Sequence, residues 1–160
     1  MPNGYKYQSR FFAYWTRRTN NHSIDDQGSR KMTDSTATTT EECMATEIKG
    51  ETWEVIQYLA MALKADNEGK TEVAQTLRSI AMDEAGHGSR FKYLAGKIGD
   101  LKEEIEKMLA GEKEAYDGKH EGMKVADEAG QKEVASFFDT AAHDEARHAA
   151  MLQNLLERYF

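Results

Sequence analysis

From Thr39 onward, apolar residues recur at steps of three and four, in four stretches. The first passes through Met44, Ile48, Glu51, Val55 and Leu59, and the second through Val73, Leu77, Ile80, Glu84, His87, Phe91 and Leu94. The third carries Leu101, Ile105, Met108, Glu112 and Tyr116, and the fourth Val134, Phe138, Ala141, Glu145, His148, Leu152 and Leu155. That rhythm puts one stripe on one face of a helix, so four helices are predicted, divided by "NEGK", "AGKIGD" and "EAGQ". Thr39 followed by Glu42 has the capping-box spacing and predicts the start of the first helix, which runs to about Asn67. Within the stripes the charged or ionisable members are Glu51, Glu84, His87, Glu112, Glu145 and His148.

These six positions obey a repeat. "ADNEGKTEVAQTLRSIAMDEAGH" (65–87) lies over "ADEAGQKEVASFFDTAAHDEARH" (126–148) at an offset of 61, which carries Glu51 onto Glu112, Glu84 onto Glu145 and His87 onto His148. Two copies of a helix hairpin, each with one Glu helix and one Glu-x-x-His helix, predict an all-α fold in which the hairpins form a four-helix bundle.

A carboxylate removed from water costs several kcal/mol unless it is paired or metal-bound, and this core would hold four. No Lys or Arg stands at the stripe positions beside them, whereas two divalent cations balance four carboxylates in formal charge. Residues three apart on a helix project from nearly the same face and can reach one ion. Two Glu-x-x-His helices facing two Glu helices are the arrangement of di-iron and di-manganese carboxylate bundles. Oxygen-rich ligands with one imidazole per ion suit iron, with manganese or zinc as substitutes. A zinc-protease signature is excluded, because His143 and His148 are five apart and Asp144 separates His143 from Glu145.

Composition narrows the partners. The 160 residues carry a formal charge of −7, which argues against a nucleic-acid surface. No apolar run approaches the roughly 18 to 20 residues of a membrane span. Cys43 is the only cysteine, so the chain has no internal disulfide and no four-cysteine iron site, and a cytoplasmic location is expected. Residues 1–39 lack helical periodicity and read as a disordered tail ahead of a bundle domain at 40–160. Lys6, Arg10, Arg17 and Arg18 give the tail a faint presequence character, with translation from Met32 as the alternative.

The chain resembles the rubrerythrin branch of the ferritin-like superfamily, on "KGE" with Glu51, "DEAGH" with Glu84 and His87, "AGE" with Glu112 and "DEARH" with Glu145 and His148. The likeness covers roughly residues 40–158. It implies a ferritin-like four-helix bundle with two iron ions held by those six residues, and a tyrosine near the metals at Tyr58, two turns beyond Glu51. Rubrerythrins with a rubredoxin domain carry four further cysteines; here electrons are expected from an external donor such as a rubredoxin-like protein. The family's extra glutamate, three residues after the third-helix ligand, is replaced by Ala115, and the repeat mate of Ala115 is Glu54. Glu54 is therefore expected as a seventh, redox-variable ligand, against the plainer reading of a solvated helix face.

Ferritin-like topology makes the second and third helices parallel, a return too long for residues 97–100. A domain-swapped homodimer is expected, with an up-down-up-down single chain as the alternative. The activity the resemblance implies is reduction of hydrogen peroxide to water, with Tyr58 orienting a ligand carboxylate and Glu54 shifting with redox state. The alternatives are a ferroxidase or oxygen-scavenging iron-handling protein, and a non-catalytic metal-stabilised interaction bundle.

Overall fold

The computed structural model describes residues 39–160, so the expected tail lies outside the described residues except for Thr39. Four α-helices follow one another with no strand among the described residues: α1 (Thr40–Asn67), α2 (Thr71–Leu94), α3 (Leu101–Glu128) and α4 (Lys132–Tyr159). Their starts fall where the capping spacing and the three turn sequences place them.

α1 and α3 end in the same device. Gly69 and Gly130 both adopt φ 72°, a left-handed conformation that a glycine takes without a Cβ penalty. The next amide then turns back, Lys70 N–H donating to Ala65 O and Gln131 N–H to Ala126 O, each at 2.8 Å. These turns fold α1 against α2 and α3 against α4. At the start of α3, Asp100 accepts a hydrogen bond from the Glu103 amide at 3.1 Å, so the segment between the hairpins ends in a proper cap.

Helix contacts among the described residues are confined to α1 with α2 and α3 with α4. Each hairpin closes on small side chains: the buried residues are Leu109 and seven alanines. Six of those alanines are repeat mates, Ala65 with Ala126, Ala74 with Ala135 and Ala81 with Ala142. Alanine at a crossing lets two backbones approach closely, but removes little apolar area from water.

The apolar stripes therefore behave differently from the sequence expectation. None of their members is buried within the chain, and Leu59, Val73, Leu94, Leu101, Met108, Val134 and Leu155 are exposed. The stripe lies beside the alanine contact, on the face that a second hairpin covers in a four-helix bundle. Among the described residues no helix is long and apolar enough to cross a membrane.

Ala81 and Ala142 have no solvent exposure. Replacing either with leucine should cost about 1–3 kcal/mol by forcing the hairpin apart. Chemical denaturation of the full chain measures this, and an unchanged midpoint would show that the alanine contact does not hold the helices.

Candidate metal centre

Each hairpin brings together one set of candidate ligands. α1 supplies Glu51, α2 supplies Glu84 and His87 one turn apart, and one donor atom from each lies within 4.8 Å of the other two. α3 and α4 repeat the set with Glu112, Glu145 and His148. His87 Nδ1 is 3.0 Å from Glu84 Oε2 and 4.0 Å from Glu51 Oε1. His148 Nδ1 is 3.2 Å from Glu145 Oε2 and 3.7 Å from Glu112 Oε2. Both rings thus turn the same nitrogen to the carboxylates. Gly88 makes room for Glu51, since a Cβ there would lie 3.0 Å from the Glu51 Cβ.

The four glutamates are the sheltered members of these sets, with side chains 14–18% exposed, whereas His87 is 59% and His148 41% exposed. The imidazoles sit toward the uncovered face. Shelter and crowding divide the carboxylates into unlike partners. Burial, followed by a hydrogen bond and charge repulsion from Glu84, pushes Glu51 up to about 7. Its partner Glu84 is lowered by the hydrogen bonds it shares with Glu51 and His87. In the second hairpin Glu112 is raised, first by its hydrogen bond with Glu145 and then by burial. Glu145 is held down to about 2 by Glu112, Lys119 and His148. Each hairpin therefore pairs a carboxyl that holds its proton more tightly than usual with one that gives it up more readily, as two acids in contact do.

The donor set fits a metal. Glu51 Oε2 is buried with no hydrogen-bond partner, an arrangement that costs free energy in a bare protein and is relieved when a cation takes the oxygen. Two carboxylates and an imidazole converge in each hairpin, a hard, oxygen-rich set suited to iron or manganese.

Glu54 and Tyr58 stand outside the converging sets. Both are half-buried on α1, on the ligand side of the helix. Glu54 is raised by burial and by the negative charges of Glu84 and Glu47, which puts it near the first half-site without joining it. One residue was absent from the sequence stripes: Lys119, whose Nζ lies 2.5 Å from Glu145 Oε1. The stripe positions themselves hold no Lys or Arg, and Lys119 brings its charge to Glu145 from outside them. Its position seven residues after Glu112, two turns along the same face, was the available signal.

Comparison with known proteins agrees with this construction. The family model described as Rubrerythrin matches residues 42–156. An uncharacterised protein of Methanocaldococcus jannaschii is 48% identical over 113 residues, 70% of this chain and 80% of that protein. Reverse rubrerythrin-1 of Clostridium acetobutylicum is 39% identical over 113 residues, 69% of this chain and 62% of the relative, so less than two thirds of its length is spanned.

With its pKa raised from 4.5 to about 7, Glu51 takes up a proton on folding, so metal-free protein should lose stability as pH rises through that interval. Glu145 acts in the opposite sense, its contribution being lost as pH falls from 4.5 toward about 2. Thermal melts of metal-free protein should fall in midpoint between pH 4.5 and about 7, with a shallower slope in Glu51→Gln. Equal slopes in the two proteins would exclude Glu51 as the titrating group.

Proposed function

The chain belongs to the rubrerythrin family, and on that premise we propose that it is a non-haem di-iron oxidoreductase that reduces hydrogen peroxide to water, working as a homodimer. The observation that carries this reading is the twinned Glu, Glu and His set, with a buried, unpartnered oxygen on Glu51. Glu51, Glu84, His87, Glu112, Glu145 and His148 would hold two iron ions, which when bound supply the electrons for H2O2 + 2 H+ + 2 e− → 2 H2O. An external donor, such as a rubredoxin-like protein, returns those electrons.

The protein's own groups divide the remaining work. Glu51 and Glu112, both raised, hold their protons more tightly than ordinary carboxyls and would give them up to solvent when a metal binds. Glu54 lies close enough to feel Glu84, and is the group we assign to change position with redox state. Tyr58, half-buried two turns beyond Glu51, orients a ligand carboxylate by hydrogen bonding.

Reach supports the dimer over a single chain of ferritin-like topology. Returning α3 alongside α2 would mean covering about 31 Å at 1.5 Å per helical residue, counted from Glu84 to Leu94 and from Leu101 to Glu112. Residues 95–100 span at most about 25 Å. The α1–α2 hairpin of one chain therefore packs on the α3–α4 hairpin of the other, covering the exposed stripes and completing two centres.

Anaerobically reconstituted protein should carry about two irons per chain. Its reduced form should be oxidised much faster by peroxide than by oxygen in stopped-flow absorbance, and Glu54→Ala should slow the peroxide reaction while keeping both ions. Faster oxidation by oxygen would point to oxygen scavenging or ferroxidase chemistry, and absence of stoichiometric metal would end the di-iron reading. Exchange of hairpins has its own readout. Chains with Glu84→Ala and chains with Glu145→Ala, co-expressed, should form a heterodimer with one intact centre, which unswapped chains cannot do.

A further inference from the structure

The two halves of the centre are repeats, yet their ligand faces differ, and two of the differences follow the first glutamate of each set by one and two turns. Glu54 is matched by Ala115, and Tyr58 by Lys119. Both differences act in one direction: the first half gathers Glu51, Glu54 and Glu84, a formal −3, while the second gathers Glu112, Glu145 and Lys119, a formal −1. Lys119 is also singular in its surroundings. Every other lysine and every arginine among the described residues is exposed, whereas Lys119 is half-buried with its ammonium on Glu145 Oε1.

We infer that Lys119 is a built-in cation that makes the two metal positions unequal, so that the ion near Glu112, Glu145 and His148 binds after, and more weakly than, the ion near Glu51, Glu84 and His87. This rests on the two-metal part of the function proposed above, not on peroxide as substrate.

The contact supplies the reason. Glu145 turns Oε2 to the His148 imidazole and Oε1 to Lys119, so both its oxygens are engaged. A carboxylate bridges two cations through both oxygens, and Glu145 can do so only when the ammonium swings away. An incoming divalent ion also meets the repulsion of that ammonium. In the first half, Glu84 Oε2 faces His87 in the same way, but the residue at the Lys119 position is Tyr58, which brings no positive charge. Lys119 is a positioning residue here: it holds Glu145 near His148 when the metals are out and sets the order in which they enter.

The test is an anaerobic titration of the metal-free full chain with manganese(II) alone, following free ion by electron paramagnetic resonance. Wild type should take up two ions per chain in two resolved steps, the second at least about tenfold weaker, a fraction of what one unit charge at close range is worth at an effective dielectric near 20. Lys119→Met should tighten the second step by about the same factor and merge the two. Lys119→Arg, which keeps the charge, should preserve the separation, so a merely structural role for the side chain predicts a different pattern. Tyr58→Lys should weaken the first step. Two ions bound with steps unchanged in Lys119→Met would overturn the inference and leave the two-metal reading standing. Failure of wild type to bind two ions would overturn both.

Discussion

A carboxylate drawn out of water needs a compensating charge, and this chain sets four of them on the inner faces of two helical hairpins. The shape of each hairpin answers that need. Helices that cross on alanines approach closely enough for Glu51 to meet Glu84 and for Glu112 to meet Glu145. A leucine-packed crossing would hold the acids further apart and leave them hydrated. In the bare protein the crowding raises one carboxyl of each pair and lowers its partner, and in the second hairpin an ammonium is added. A divalent ion replaces those makeshifts with one stronger interaction. The same economy of small side chains leaves the larger apolar residues uncovered, so the charge problem and the exposed stripes have a common origin.

Much of this was legible in the sequence. Helix boundaries followed from Thr39 and Glu42, from the glycine turns and from stripe spacing, because each is dictated by local backbone geometry. The six site residues were legible because an internal repeat made each polar interruption count twice. Burial of the stripes was not, since periodicity identifies a face and not what covers it. Within one chain the covering falls to Ala74, Ala81, Ala135 and Ala142, residues that a hydrophobic pattern weights lightly.

Lys119 shows a different limit. Reading six positions as a closed set excluded a residue two turns further on, although a lysine stem is long enough to bring its charge back to Glu145. Glu54 was found by the opposite route, from the asymmetry between the halves. Repeats are informative about what they share, and here the positions where they disagree hold the charge difference across the centre.

The hairpin turns at Gly69 and Gly130 carry a consequence for how the molecule comes to exist. Among the described residues every interhelical contact lies within one hairpin of some 60 residues, so the search for native neighbours is short-range in each half and proceeds independently of the other. The first hairpin is complete in sequence before α3 emerges from the ribosome. In the dimer proposed above, joining hairpins from two molecules would be a second-order event, whose rate rises with the square of chain concentration, while the folding that precedes it has no such dependence. In that assembly, expression level would set how long the unfinished halves remain apart.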